Sequence, residues 1–155
     1  MNTPINKTIR AASESGWIAD HRAMYLKDGA AGHYWDSTFA GGPGPLPTLL
    51  LFTTGRKTGK ESIMPLLYGK VAGGYAIIAS KGGDTAHPAW YHNMQDQKDV
   101  KVQVATDVFR ARFRVAEGAE REAIWKQMSE MYPPFNAYQA ATPRRIPVIV
   151  LEPVK

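Results

Sequence analysis

The chain has 155 residues, which is enough for one compact domain and too few for two well-packed ones. Hydrophobic residues make up 44% and charged residues 21% of the chain, a composition typical of globular proteins that disfavours collagen-like, disordered and membrane-spanning classes. The sequence contains no cysteine, so disulfides, thiolate nucleophiles and cysteine metal sites are excluded, and the formal net charge of +5 suggests an anionic partner. The polar start of the chain lacks the apolar stretch of an export signal, which predicts a cytoplasmic protein.

The first 45 residues predict a small N-terminal segment. A weak helical stripe, with a spacing of three to four residues, is formed by Ile9, Ala12, Gly16, Ala19 and Ala23. This stripe indicates one or two short helices. Residues 40–47 contain three prolines and three glycines, so we interpret them as a linker or wrapping loop rather than a helix or a sheet strand. We therefore divide the chain into an N-terminal helical segment with its loop, 1–45, and a main body, 46–155.

The main body predicts about six short strands, because apolar runs alternate with glycine-rich turns. The predicted strands cover 49–54, 62–71, 75–80, 100–105, 108–116 and 147–153. We expect the first three to form a meander, and the second to have apolar residues on both faces. In the strand 108–116, the apolar residues share one face and three arginines share the other.

Short helices interrupt the strands. Pro88 is typical of a first helical position and predicts a helix over 88–94. An apolar stripe predicts a second helix over 120–132, which Pro133 and Pro134 end, and 135–141 is expected to add one or two helical turns. Because helices are few, the pattern favours a small, mostly antiparallel barrel with flanking helices over a doubly wound parallel sheet.

A basic, glycine-rich turn at 55–60 separates the first two strands. It is not a phosphate-binding P-loop, because three residues rather than four separate its glycines and Glu61 stands where a hydroxyl would bind magnesium. Its three cations are Arg56, Lys57 and Lys60. Together with the turn amides they are suited to hold a phosphate or carboxylate, and the alternative is a hairpin turn kept soluble by its lysines. Residues 53–81 contain five cationic residues and one acidic residue, so most of the net charge is concentrated there.

Other chemistries have weaker support. The four histidines lack the spacing of a metal site and no nucleophile elbow is present, so we expect neither a metal nor a hydrolase triad. The arginine row of the strand 108–116 is typical of a solvated sheet face, but basic charge near aromatic residues leaves single-stranded nucleic-acid binding open. Two sets of aromatic residues allow two interpretations, packing in the core or lining a pocket for a planar ligand. The sets are Trp90 with Tyr91, and Tyr132, Phe135 and Tyr138.

Taken in order, these segments closely resemble the deazaflavin-dependent nitroreductase family. The resemblance rests on TTGRKTG at 53–59, PL at 65–66, ASKGG at 79–83, PAWYHN at 88–93, YP at 132–133, YQ at 138–139 and RIPV at 145–148. It implies a split β-barrel of the flavin-reductase type, with 46–155 as the domain that binds coenzyme F420. F420 has a flat deazaflavin ring, a phosphate and an oligoglutamate tail. The resemblance further implies hydride transfer from C5 of the reduced ring to an electrophilic acceptor such as a quinone, an enone or a nitroaromatic.

The resemblance also implies roles for individual residues. The phosphate and tail would face Arg56, Lys57 and Thr58, with Lys60 and Ser62 beside them. The ring system would lie on Met64, Pro65, Leu66, Ala79, Ser80 and Lys81. The cofactor groove would be closed by Ala89, Trp90, Tyr91 and Asn93. The acceptor would be bordered by Ser80, Tyr132, Phe135 and Tyr138, of which Ser80, Tyr132 and Tyr138 are candidates for positioning it or donating a proton.

Two positions limit these roles. Ser62 stands where members of the family commonly carry an arginine shortly before the PL pair, so a bidentate contact to an anion is lost and Lys60 offers only a point charge in its place. Phe135 has no hydroxyl, so a proton would come from Tyr132, Tyr138, Ser80 or water.

Three alternative functions stay open at this point. The chain could be an FMN-dependent reductase of the same barrel type, a non-catalytic deazaflavin carrier, or a single-stranded nucleic-acid binding protein. We expect a small-molecule acceptor and no nucleic-acid partner. The resemblance also allows the N-terminal segment to cap the pocket or contact a membrane, and it leaves the oligomeric state open.

Overall fold

A computed structural model describes residues 16–154, and the strands in that range form an eight-stranded sheet. The strands are β1 (Tyr34–Asp36), β2 (Pro45–Thr54), β3 (Glu61–Leu67), β4 (Gly69–Val71), β5 (Gly74–Ile78), β6 (Val100–Val104), β7 (Asp107–Val115) and β8 (Val148–Pro153). The sheet order is β1–β2–β6–β7–β8–β5–β4, with β3 also paired to β2, and all neighbours are antiparallel. The sheet curls into a half-barrel with flanking helices, which confirms the predicted split β-barrel.

The helices lie at the start of the described chain and in two later insertions. They are α1 (Gly16–Lys27), α2 (Gly29–Gly32), α3 (Ala89–Gln95), α4 (Gly118–Met131) and α5 (Pro134–Ala140), with 3-10 turns at Thr38–Ala40 and Lys81–Gly83. The three helices predicted in the main body are confirmed within two residues. Helix α4 ends before Tyr132, whose φ of -136° and ψ of 87° are extended, as the residue before a proline prefers. Ile9 and Ala12 of the predicted N-terminal stripe lie outside the described residues.

The hydrophobic core lies on both faces of β2, β5 and β8. An inner cluster contains Leu49, Leu51, Ile77, Ile149 and Leu151, with Trp90 and Met94 of α3. An outer cluster contains Ala76, Ile78, Val148 and Val150, packed with Ile124, Met128 and Phe135 of α4 and α5. A third, smaller cluster contains Leu50 and Phe52 of β2 with Tyr25 of α1. The alternation of side chains along a strand thus places neighbouring apolar residues in different clusters.

The prediction of a single strand over 62–71 is wrong. The chain forms two strands there, separated by the buried Tyr68, whose amide still donates to the carbonyl of Pro47 at 3.3 Å in the register of the β2–β3 pair. Strand β3 pairs with β2, whereas β4 pairs with β5. The predicted three-strand meander is also wrong, because β3 pairs with β2 and not with β5, whose partners are β4 and β8. The apolar side chains of β3 are half-buried rather than buried on both faces.

The interpretation of 40–47 as a loop is wrong for its last three residues. Residues 45–47 begin β2 and pair with β1, a strand that the sequence did not predict. Prolines are tolerated at the start of a strand, which is where Pro45 and Pro47 lie. Strand β1 thus connects the N-terminal segment to the sheet, and the division of the chain at residue 45 stays a prediction.

Helix α1 is attached to the sheet by Tyr25, which is fully buried. Its hydroxyl donates to the carbonyl of Thr48 at 2.8 Å and accepts the amide hydrogen of Ala105 at 2.8 Å. Ala105 has a φ of +54°, an uncommon conformation for a residue with a side chain. Burial is the main reason that the pKa of Tyr25 is raised to about 12, so the hydroxyl stays protonated and can donate. Tyr25 therefore joins α1, β2 and the β6–β7 turn.

We expect Tyr25→Phe to lower the free energy of unfolding by about 1 to 3 kcal/mol, because two buried backbone groups lose their partner. Denaturant unfolding measures this change. The matched control is Tyr34→Phe, since Tyr34 is 56% exposed and its hydroxyl makes no hydrogen bond within residues 16–154. This control should change stability by less than about 0.5 kcal/mol. Equal effects of the two variants would contradict the bridging role of Tyr25.

Candidate functional site

The basic turn is a closed structure at the end of the β2–β3 hairpin. The amide of Gly55 donates to the carbonyl of Lys60 at 2.7 Å, and the amide of Gly59 donates to the carbonyl of Gly55 at 2.8 Å. Gly59 has a φ of +72°, which a residue with a side chain rarely adopts. The turn therefore holds its cations on a defined backbone.

A pocket of about 280 Å³ lies between this turn and α3. It is lined by Gly55, Arg56, Lys57, Thr58, Lys60, Glu61, Ser62, Ala89 and Asn93. Five of the residues predicted around the phosphate and tail thus lie beside two of the residues predicted to close the groove. We call this space the basic pocket.

The cations of the basic pocket have no acidic partner. Over residues 16–154, the side chains of Arg56, Lys57 and Lys60 form no ion pair and no hydrogen bond. Elsewhere, Arg114 binds Glu120 at 2.6 Å and Glu152 at 3.2 Å. An anion in the basic pocket would therefore meet three cations that form no ion pair in the described chain, with Glu61 as the acidic residue of the lining.

Asn93 connects α3 to the basic turn. It is 5% exposed, its Oδ1 accepts the amide hydrogen of Arg56 at 3.1 Å, and its Nδ2 donates to the hydroxyl of Thr53 at 3.2 Å. Just after the end of α3, the Oε1 of Gln97 accepts the amide hydrogen of Thr54 at 2.7 Å. The end of β2 is thus fixed on both sides of Gly55, by α3 and by the residues that follow it. Asn93 was predicted for the groove, whereas Gln97 was not, because the sequence offered no signal for it.

Helix α3 presents its other predicted residues to different surroundings. Trp90 is 4% exposed and belongs to the inner cluster, so core packing accounts for its burial. The half-buried Tyr91 lies against His87 and lines a second pocket of about 170 Å³ with Arg121 and Arg145. The helix therefore separates the basic pocket from the second pocket, because Ala89 and Asn93 line one and Tyr91 lines the other.

The residues predicted under the ring system do not line the basic pocket. Met64 and Leu66 of β3 are half-buried and pack against the inner cluster, and Pro65 is also half-buried. Ala79 is fully buried, whereas Ser80 is half-buried and Lys81 is exposed in the turn after β5. Lys81 pairs with Asp84 at 3.8 Å, and both side chains are nearly half exposed.

The predicted acceptor residues lie at the corner between α4 and α5. Tyr132 is 4% exposed and Phe135 is 5% exposed, so both pack in the outer cluster, whereas Tyr138 is half-buried. The hydroxyls of Tyr132 and Tyr138 are hydrogen-bonded at 2.9 Å. Burial, followed by this hydrogen bond, raises the pKa of Tyr132, so the phenol is held in its protonated form. Helix α5 packs on the turn that contains Ser80, because the carbonyl of Tyr138 lies beside Gly83.

The turn after β5 has a partner that the sequence analysis missed. Arg144 donates hydrogen bonds to backbone carbonyls of this turn at 2.7 to 3.2 Å. The only sequence signal was its place beside the RIPV segment, which gives no hint of which groups it reaches.

Two further features of the described chain bear on function. None of the helices between residues 16 and 154 is long and apolar enough to cross a membrane. Over the same range, no group of three or more histidine, aspartate or glutamate side chains is placed to hold a metal ion.

Comparison with known proteins gives consistent relatives. The profile of the F420H(2)-dependent quinone reductase family matches residues 20–153. A candidate F420H(2)-dependent quinone reductase of Mycobacterium tuberculosis is 38% identical over 109 residues, which cover 70% of this chain and 92% of that protein. A solved F420-H2 dependent reductase, FDR-A, is 45% identical with a TM-score of 0.62, and the match covers 68% of this chain and 94% of that one. A solved domain-swapped dimer is 38% identical with a TM-score of 0.64, covering 88% and 97%.

We expect Asn93→Ala to accelerate hydrogen exchange at the amide of Arg56 and to lower the free energy of unfolding by about 1 to 3 kcal/mol, because this partly buried amide and the buried hydroxyl of Thr53 lose their partner. Exchange measured residue by residue by NMR tests this. The matched control is Gln97→Ala, which should accelerate exchange at Thr54 and leave Arg56 unchanged. A variant of Asn93 with normal exchange at Arg56 would contradict the connection between α3 and the basic turn.

Proposed function

Because this chain belongs to the F420H(2)-dependent quinone reductase family, we propose that it is an oxidoreductase that binds reduced coenzyme F420 and reduces a quinone with it. The resemblance found in the sequence is confirmed at the level of the family. Enones and nitroaromatics, which that resemblance also implied, are proposed as further acceptors of the same electrophilic character.

The basic pocket is the observation that carries this proposal. F420 carries a phosphate and several tail carboxylates, and the basic pocket offers three cations without acidic partners on a closed turn. We assign the phosphate and tail to Arg56, Lys57 and Thr58, with Lys60 supplying a further point charge. Ser62 also lines the basic pocket, and its hydroxyl offers one neutral hydrogen bond where an arginine would offer a bidentate charged contact.

The ring of the cofactor is assigned to the surface formed by β3 and the turn after β5. The candidate residues there are Met64, Pro65, Leu66, Ala79, Ser80 and Lys81, with Ala89, Trp90, Tyr91 and Asn93 of α3 closing the groove. When bound, reduced F420 supplies the hydride from C5 of its ring. The protein then needs no side-chain nucleophile, because its task is to hold the ring and the acceptor in contact and to exclude water.

The acceptor is assigned to the α4–α5 corner, beside the turn after β5. Tyr138 is the half-buried member of the tyrosine pair, so an acceptor can reach it more readily than it can reach Tyr132. The Tyr132 hydroxyl bonds to the Tyr138 hydroxyl, which leaves one of the two as donor to an acceptor oxygen. We propose that Tyr138, with Ser80, positions the acceptor and that Phe135 shapes the apolar wall behind it.

Partners and location remain proposals beyond the small-molecule acceptor. A solved relative is a domain-swapped dimer, which makes a dimer the first oligomeric state to test for this chain. The contact of the N-terminal segment with a membrane stays a prediction, since residues 1–15 lie outside the described residues. The cytoplasmic location likewise stays a prediction.

We expect Lys57→Ala to weaken F420 binding by roughly 1.5 to 3 kcal/mol, or about 10- to 150-fold in Kd, because a charged hydrogen bond to an anion is lost. Fluorescence titration with oxidised F420 measures this. Lys126→Ala, which removes an exposed lysine of α4, is the matched control and should leave Kd within twofold. Unchanged affinity of Lys57→Ala would remove the basic turn from the cofactor site. Tighter binding of FMN than of F420, titrated in parallel, would favour an FMN-dependent reductase instead.

We expect Tyr138→Phe to lower kcat/KM for a quinone about tenfold while the Kd of F420 stays within twofold, because the lost hydroxyl belongs to the acceptor side. Steady-state kinetics with saturating reduced F420 provide the measurement. Tyr75→Phe is the matched control, since the Tyr75 ring stacks on Phe109 and its hydroxyl makes no hydrogen bond in the described chain. A parallel loss of F420 affinity in Tyr138→Phe would assign Tyr138 to the cofactor groove.

A further inference from the structure

Four of the five N–H groups of the Arg144 guanidinium donate to neutral acceptors in and next to the turn after β5. Its Nε donates to the carbonyl of Asp84 at 2.8 Å, its Nη2 to the carbonyl of Ser80 at 2.7 Å, and its Nη1 to the carbonyl of Ala79 at 3.2 Å and to Nδ1 of His87 at 2.9 Å. It forms no ion pair with any residue of 16–154. The Arg144 guanidinium therefore binds the backbone of the turn after β5 instead of a carboxylate.

The contact with His87 completes this arrangement. Because the guanidinium has only hydrogens to offer, Nδ1 of His87 accepts and must carry no proton. Burial, then the charge of Arg144, then His92, lowers the pKa of His87, which is consistent with a neutral ring. All four hydrogen bonds of Arg144 therefore have a suitable acceptor.

The turn that Arg144 holds has an unfavourable backbone. Lys81 has a φ of +47°, followed by Gly82 at +62° and Gly83 at +85°. For a residue with a side chain, this left-handed conformation is unfavourable and persists only where neighbouring contacts fix it. Arg144 binds carbonyls on both sides of Lys81, so it is placed to fix this conformation.

The same conformation leaves three amides available. Ser80 has right-handed helical angles, a φ of -79° and a ψ of -38°, and the left-handed Lys81 follows it. Such a pair directs successive amide hydrogens into one concavity that suits a negative oxygen. In the part of the chain that the structure describes, the amides of Ser80, Lys81 and Gly82 donate no hydrogen bond. The next amide, that of Gly83, is used by the carbonyl of Ser80 at 2.9 Å.

We propose that Arg144 is a positioning residue, which holds the amides of Ser80, Lys81 and Gly82 as a preformed cradle for a partly negative oxygen of the bound deazaflavin ring. Arg144 acts through the turn and does not touch the cofactor itself. This inference rests on the proposed function, because it assigns the oxygen to F420. Its consequence is a division of roles: the basic pocket supplies most of the affinity, and the cradle sets the orientation of the ring.

The kinetic test compares Arg144→Lys with Arg145→Lys. A lysine retains the charge but cannot reach four acceptors at once, whereas the neighbouring Arg145 is 67% exposed at its side chain and, among residues 16–154, forms an ion pair with Glu122 alone, at 3.9 Å. We expect Arg144→Lys to lower kcat for reduction of a quinone about 10- to 100-fold, because a misplaced ring transfers hydride slowly. The Kd of F420 should change less than threefold. Arg145→Lys should change both quantities less than twofold.

The structural test uses the amide resonances of Ser80, Lys81 and Gly82 in NMR spectra. We expect F420 to shift them in the unaltered protein, and Arg144→Lys to shift them without cofactor, whereas Arg145→Lys leaves them in place. His87→Ala removes one of the four acceptors and provides a milder variant if Arg144→Lys does not fold. It should give the same resonance changes with a smaller loss of kcat.

Several results would overturn the inference. Normal resonances and normal kcat in Arg144→Lys would show that Arg144 does not position the turn. Resonances that respond to a quinone but not to F420 would assign the oxygen to the acceptor and contradict the cradle for the cofactor. If the unaltered protein binds no F420, the proposed function fails. The assignment of the cradle to an oxygen of the cofactor then fails as well. The resonances of Arg144→Lys without cofactor then decide separately whether Arg144 positions the turn.

Discussion

Strand β2 is hydrogen-bonded along both edges and buried on both faces, and the rest of the molecule depends on this double constraint. Residues of β2 pair with β3 on one side and β6 on the other, while alternate leucines enter separate clusters. The register of such a strand is specified because a shift of one residue would exchange its side chains between the two clusters. The basic turn begins where β2 ends, so a strand paired on both edges carries the cationic loop.

The cations of the molecule are arranged in three ways. On the outer face of β7, arginines bind carboxylates: Arg110 pairs with Asp99, and Arg114 pairs with Glu120 and Glu152. The basic pocket has no such pairing, and Arg144 satisfies backbone carbonyls instead. These three uses of a cation correspond to a solvated surface, a site for an anion and a support for a turn. Of these three uses, only the basic pocket leaves positive charge for a ligand. The net charge of the whole chain therefore does not indicate where an anion binds.

Local patterns predicted much of the fold and part of the site. The alternation in β7 was read correctly, since Ala111 is buried and the arginines around it are exposed, and Pro88 marked the start of α3. The basic turn was recognisable because its glycines and cations are adjacent in sequence. Strand β1 was missed because three residues are too few to show a period, and β4 was predicted only as the end of a longer strand. The break at Tyr68 was missed because it depends on packing between distant segments, and composition does not record packing.

Contacts between distant parts of the chain account for the remaining gaps in the site. Arg144 reaches carbonyls 60 to 65 positions earlier in the chain, and those acceptors are backbone atoms that every residue type carries. The sequence thus gives no side-chain partner to search for. Aromatic residues such as Tyr132 and Phe135 occur both in pocket walls and in hydrophobic cores, so their residue type does not distinguish the two. Only the packing of α4 and α5 on β8 shows that they are buried.

The exposure of the cations in the basic pocket makes this part of the site sensitive to its ionic surroundings. Arg56, Lys57 and Lys60 are all exposed, so mobile ions compete with any anion bound there. The buried hydrogen bonds of Asn93 and Tyr25 are shielded from those ions. Raising the ionic strength would therefore lower the affinity for a charged ligand without destabilising the fold. The same protein could thus hold its cofactor firmly or exchange it readily, depending on the salt around it.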